Sequence, residues 1–524
     1  MRAMCAMGFC WHACGERTPA PAFCSDLLKK SAAACKTSAL LARGTPCAKN
    51  TKDSPHRMPA PSKPKSVPVQ AQEVPRSAAN FGLNLLALAG GLGAILGLIQ
   101  WGPSLDALIG PLPGKMGSVS SNHLLVGLIG CAVVFLIIGG VELLAMRTYL
   151  NPATGLAGKA LRSPDYKRVA VRLLGLLLTL GIIAGVYWLF PEYHGSFYDP
   201  FWGFLLALLG PVAVLVVPYF IWTDTRLADP HDSYWQLGMV PVLLLSGRSL
   251  DQIDRPALQS HFMGWAVKAF FLPLMMNYLG GEVRSLGNSW AAFSANNGAN
   301  WYQFLYDLSY TVDLLFCVVG YTITLRLFDS HIRSTEPTAF GWIIALLCYQ
   351  PFYSVIGSMY LHYDDSLFWD NWLNGVPALK NVWAGVIVVL LFVYGLSTVA
   401  FGLRFSNLTY RGVITSGPYR YTKHPAYLSK NLSWWLISVP WISDAHGFDA
   451  LRNCCLLGLL NLIYFLRART EENHLSLRDP DYVAYALWMN QHGILSWLGR
   501  LLPFLRYKPP AAVMATKSSA AVRA

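Results

Sequence analysis

The chain reads as long apolar runs broken by short polar loops. Ten runs reach or approach the roughly 20 residues that a helix needs to cross a hydrocarbon core. They are residues 81–101, 124–146, 173–190, 201–222, 262–280, 303–327, 339–359, 381–403, 426–441 and 451–467. A further apolar piece, 235–246, reads as half-buried or interfacial. No internal repeat and no linker divides this region, so the pattern predicts an all-α, polytopic transmembrane helix bundle of about ten spans.

Composition agrees with lipid as the solvent. Charged residues make up 13% of the 524 and hydrophobic ones 54%, with a mean hydropathy of +0.37, whereas soluble domains carry about 25% charged residues. The formal net charge of +13 would suit a nucleic-acid partner, but 12 of the 41 Lys and Arg precede residue 80 and the rest lie mostly in short loops. That distribution writes membrane topology, and no nucleic-acid partner is expected. With the amino-terminal tail inside, the inner loops hold 15 Lys and Arg against four outside. Both termini are therefore expected in the cytoplasm, in a bacterial inner membrane or the endoplasmic reticulum. The outer loops 294–303 and 362–375, the second with Asp364 and Asp365, read as solvated segments with interfacial Trp.

Six of the 11 cysteines fall in the first 50 residues, in a stretch without hydrophobic periodicity. Cys10, His12 and Cys14 have no second ligand pair at zinc-site spacing, so no metal is expected. Residues 1–79 read as a disordered tail, or as sequence upstream of a true start such as Met58. Four segments follow: this tail, an amino-terminal transmembrane region of unknown role at 80–379, a carboxy-terminal membrane core at 380–500, and a basic tail at 501–524.

Four ionisable residues fall inside predicted spans, where charge is costly and normally paired. Glu142 and Lys268 lie near the inner surface and either pair or snorkel. Asp313 lies near mid-membrane and needs an internal partner or a proton. Asp307 is six residues from Asp313, roughly 240° around a helix, so the two do not share a site.

Two charged stretches abut the last spans. In "GPYRYTKHPAYLSKNLSWW", Gly417 to Trp435, Pro425 suits the first turn of a helix, and His424, Tyr427, Asn431 and Trp434 recur along one face. Tyr, Trp and Lys at this level also make an interfacial anchor, but an amide one or two turns inside must find a partner. The helix start points its positive dipole end and unpaired N–H groups to the cytoplasm, where a carboxylate could dock. In "RARTEE", Glu471 and Glu472 stand at the carboxy-terminal end of a span, where the dipole disfavours acids. Local pairing of Arg467 with Glu471 and Arg469 with Glu472 is worth only a few tenths of a kcal/mol. Carboxylates so placed are acceptors for ribose hydroxyls or an ammonium group. A zwitterionic, cationic nucleoside such as S-adenosylmethionine would suit the combined pocket, with its sulfonium against aromatic faces.

The two blocks in this order resemble the carboxy-terminal core of the isoprenylcysteine carboxyl methyltransferase family, together with related membrane phospholipid methyltransferases. The resemblance covers roughly residues 380–500. It implies an S-adenosylmethionine-dependent methyltransferase with His424, Pro425, Tyr427, Glu471 and Glu472 in the cofactor site and Arg420 and Asn431 beside it. His424 and Tyr427 are the nearest candidates for a catalytic base. Lys423 stands where the family usually has Arg and loses the planar fork; Ser429 stands where Gly is usual. The upstream half has no counterpart in the small enzymes, so the acceptor does not transfer. A lipid or lipid-linked carboxylate or amine, entering sideways from the membrane, is the expected substrate, with no protein partner. Two rivals stand beside this reading: an NADPH-dependent sterol-type membrane reductase, whose Cys-x-x-Lys-Tyr-Gly run is absent here, and a non-enzymatic multi-pass transporter or scaffold with a degenerate core.

Overall fold

The computed structural model describes residues 73–110, 117–363, 368–443 and 447–513. The tail before residue 73, with Met58 and Cys10, His12 and Cys14, lies outside the described residues, as do Lys115, Asp364, Asp365 and residues 514–524. The chain folds into helices α1 (Phe81–Ile109), α2 (His123–Leu144), α3 (Tyr166–Leu189), α4 (Asp199–Arg226), α5 (Ser233–Leu245), α6 (Arg255–Ala295), α7 (Trp301–Thr322), α8 (Ala339–Leu346), α9 (Phe352–Met359), α10 (Trp369–Trp372), α11 (Pro377–Val399), α12 (Pro425–Ser438), α13 (Gly447–Arg478), α14 (Pro480–His492) and α15 (Ser496–Leu501). The expected helical bundle is what forms: among the described residues eight helices are long and apolar enough to cross a membrane.

Two of the ten expected spans differ. The seventh, 339–359, is broken into α8 and α9 of eight residues each, about 12 Å apiece and too short to cross alone. Pro351 offers no N–H and disfavours helical geometry at Gln350, so the ladder stops there. The ninth, α12, has 14 residues and ends at Val439 in left-handed backbone (φ 39°) ahead of Pro440. The apolar piece at 235–246 is the short helix α5.

Local signals set the helix starts. Asn80, Asn122, Asp165, Asp232 and Asp254 each accept a backbone N–H in the first turn of the helix that follows, the usual N-cap role of such side chains. Close packing needs glycine where α3 crosses α5. A Cβ on Gly175 would sit 1.9 Å from the Tyr234 carbonyl oxygen and one on Gly238 1.9 Å from that of Val171. The paired glycines let the two backbones touch.

The apolar core gathers α1, α2 and α6 around α7, which is buried on every face from Ser309 to Tyr321. Helix α11 packs on α7, and α12 on α11. Loops at one end of the bundle are tied together. Strand β1 (Ser334–Thr335) pairs antiparallel with β2 (Thr409–Tyr410), Ser334 opposite Tyr410. Glu142 meets Arg404 at 2.7 Å, and Arg172 meets Asp232 at 2.7 Å. Glu142 thus takes Arg404, not Lys268, as its partner. Lys268 donates to Thr324 at 2.7 Å, Asp307 accepts from Gln303 at 2.7 Å, and Asp313 accepts from Tyr394 at 2.8 Å and from the Thr398 hydroxyl. Residues 77–79, at the end of the segment expected to be disordered, pack against the same end: Ala78 N–H donates to Val413 at 2.8 Å and Ala79 is buried.

Candidate functional site

Pro425 begins α12 and is buried in its first turn, so the helix start is fixed by a residue with no N–H to lose. One helical face then carries His424, Tyr427 and Lys430 past Tyr464, Arg467 and Glu471 of α13. The His424 and Tyr427 rings stack at 5.6 Å with 6° between planes, and Tyr427 meets Tyr464 edge-on at 5.7 Å. These side chains form one wall of a cavity. The facing wall comes from α6, α7, α11 and the break between α8 and α9, through Tyr278, Asp313, Tyr349, Tyr394 and the neighbouring Asn407 loop.

The two expected carboxylates divide their work. Glu472 is 5% exposed and is consumed by protein cations. It pairs with Lys423, accepts from Arg469 at 2.7 Å, and lies 3.2 Å from His424 Nε2. Burial pushes the Lys423 ammonium below its ordinary range, and Glu472 opposes that shift. Glu471 faces the cavity instead. Tyr427 donates to it at 2.9 Å, and among the described residues no cation is ion-paired with it. The helix-dipole argument therefore resolves into two roles, a clamp at Glu472 and a cavity-facing acceptor at Glu471.

Arg467 does not pair with Glu471, as local spacing had suggested. Its guanidinium donates to Asn407 at 2.5 Å and Tyr349 at 3.3 Å, and lies 5.1 Å from the Tyr427 ring centroid. Lys430 points among the rings of Tyr394, Trp434 and Tyr464, at 5.2, 5.2 and 5.9 Å. The site thus presents two cations, the two carboxyl groups of Glu471 and Asp313, and several aromatic faces in one cavity.

The remaining expected residues stand aside. Asn431 donates to the Tyr427 carbonyl at 2.6 Å and accepts from Asn461 at 2.6 Å, while Trp435 donates to Asn461 at 2.7 Å. It finds the partner its depth requires and joins α12 to α13, but does not line the cavity. Arg420 is exposed and outside it. Sequence reasoning missed Tyr349, Asn407 and Tyr394 as neighbours of the site. Asn407 is a loop amide with no motif around it, and only the fold brings it to Arg467.

This constellation decides what the chain resembles. Residues 382–488 match the model of the isoprenylcysteine carboxyl methyltransferase (ICMT) family. The ICMT-like segment runs from α11 to α14 and contains every site residue expected from the sequence. It indicates a membrane methyltransferase, in keeping with the long apolar helices around it. The cavity wall from Tyr278, Asp313 and Tyr349 lies outside the match. No curated protein and no solved structure matches the chain.

Proposed function

We propose that the protein is an integral membrane S-adenosylmethionine-dependent methyltransferase acting on a lipid or lipid-linked acceptor at the cytoplasmic face. The observation that carries this is Glu471: a half-buried carboxylate, bonded among the described residues by Tyr427 alone and lining an aromatic cavity at the head of α12. The residues present fit the cofactor. Glu471 would accept its hydroxyls or ammonium group, Arg467 and the α12 start would meet its carboxylate, and Tyr427 and Tyr464 would face its sulfonium. When bound, S-adenosylmethionine supplies an already activated methyl group.

What remains for the protein is to align the partners and exclude water, and orientation alone lowers such a barrier by several kcal/mol. Glu472, Lys423 and Arg469 would hold α13 against the α12 start and so fix the spacing of Tyr427 and Glu471. A carboxylate acceptor needs no base. An amine acceptor must arrive neutral, and His424 and Tyr427 are the groups nearest to take its proton. The facing wall, with Asp313 of the upstream half and Tyr394 of α11 at mid-membrane, would receive the acceptor from the bilayer side. Asn431 and Pro425 serve this reading as positioning residues, and Arg420, exposed and outside the cavity lining, takes no part in it. The positive loops support placing the site and both termini in the cytoplasm.

Isothermal titration of the detergent-purified protein with S-adenosylhomocysteine and, separately, NADPH tests the proposal. Binding of the first that is lost in Glu471→Ala supports it. Binding of NADPH alone would make the protein a reductase, and binding of neither would leave the non-enzymatic reading.

A further inference from the structure

A second polar site stands at the membrane edge, away from the Glu471 cavity. Arg411 is 2% exposed, yet only one of its guanidinium nitrogens has a protein partner: Nη1 donates to the Gly320 carbonyl at 2.8 Å. Its Nε and Nη2 are buried and bonded to nothing among the described residues. Lys268 bonds near the same end of α7, four residues beyond Gly320. Its ammonium donates to Thr324 at 2.7 Å and sits 4.5 Å from the Trp265 ring centroid.

Among the described residues no carboxylate is ion-paired with either cation. At Arg411 the neighbours are Tyr321 and the cation Arg404. Arg404 already has its own carboxylate in Glu142 at 2.7 Å. Burial and Arg404 push Arg411 down to about 9, against the opposing effect of Tyr321. Two cations without a counter-charge are expensive to bury unless an anion completes them.

Position narrows the anion. Thr324 follows the end of α7, and Arg411 lies in the loop that leads to α12, so the pair sits where helices leave the membrane. Lys268 and Trp265 are half-buried, so the Lys268 side of the site reaches the protein surface. An ammonium, a guanidinium with two free N–H edges, a hydroxyl and an interfacial Trp form a donor set suited to a phosphate group at headgroup level. Lys268 also precedes Met275 of the cavity wall by seven residues, about 10 Å along α6. We propose that Lys268 and Arg411 bind the phosphate of a membrane lipid headgroup. This site does not depend on methyl transfer.

The test uses the full-length protein in neutral detergent, with its Tm followed as dioleoyl phosphatidylglycerol is added. The lipid should raise Tm saturably, and the half-saturating concentration should rise at least tenfold in Lys268→Gln but not in Arg248→Gln, an exposed loop control. Dioleoylglycerol, which lacks the phosphate, should give no such shift. Inorganic phosphate matching the lipid's effect would uphold the phosphate site but assign it to a soluble ligand. Equal shifts from both lipids, or unchanged affinity in Lys268→Gln, would overturn the proposal. Without lipid, Arg411→Gln should keep or raise Tm, because an unbalanced charge is removed; a collapse would make the guanidinium structural and remove it from the site.

Discussion

Replacing each member of the acidic pair separately should give opposite phenotypes. Glu472→Gln removes a buried negative charge from Lys423 and Arg469, whose side chains are 14% and 28% exposed. Removing one partner from a buried ion pair costs about 3–5 kcal/mol; partial exposure and the amide's remaining hydrogen bonds put this case near the lower end. The expected fall in Tm is about 5 °C. Glu471→Gln leaves the Tyr427 hydroxyl an acceptor and breaks no ion pair, so Tm should stay within about 1 °C. It removes the charge from a ligand hydrogen bond worth about 1.5–3 kcal/mol, which is roughly a 10- to 150-fold loss of S-adenosylhomocysteine affinity by titration calorimetry. Equal losses of affinity in both variants with unchanged Tm would refute the division into clamp and acceptor. So would wild-type affinity in Glu471→Gln.

Other perturbations test the frame around the site. Glu142→Gln should strand the buried Arg404 and lower stability by about 3 kcal/mol, and the double variant Glu142→Leu with Arg404→Met should recover most of it in a thermal melt. Gly238→Ala would drive a methyl into the Val171 carbonyl at 1.9 Å; part α3 from α5, it should abolish the folded peak in size-exclusion chromatography. Burial, with Arg326 and Arg333, pushes His331 down to about 3. The unfolded chain therefore binds the extra proton between about pH 6.5 and 3, so stability falls as pH drops through that window, by up to about 1.4 kcal/mol per unit. His331→Gln should flatten that slope in acid-unfolding curves.

The legibility of this protein follows the range of the interactions involved. Helix positions were readable because the length of an apolar run is a local property of the chain. The break at Pro351 was readable in principle, since proline ends a helix wherever it stands, but hydropathy across 339–359 outweighed it. The site was half legible. His424, Tyr427 and the acidic pair stand out through spacing and through their clash with the helix dipole. What spacing could not do was tell Glu471 from Glu472, because the choice depends on Lys423 arriving from another segment and on Arg467 leaving for Asn407 and Tyr349.

The upstream wall was illegible for a further reason. Asp313 could be recognised as costly, and its need for a partner followed from depth alone. Its partners, Tyr394 and Thr398, sit 81 and 85 residues away on α11, and nothing in either helix's own pattern points to the other. Yet α11 belongs to the ICMT-like segment and α7 does not. This hydrogen-bonded contact therefore couples the matched core to the large unmatched half at the inner end of the cavity. An acceptor entering there would meet residues of both. Substrate choice in this protein should accordingly respond to substitutions in α7, outside the segment that resembles the known enzymes, while cofactor affinity should respond to those in α12 and α13.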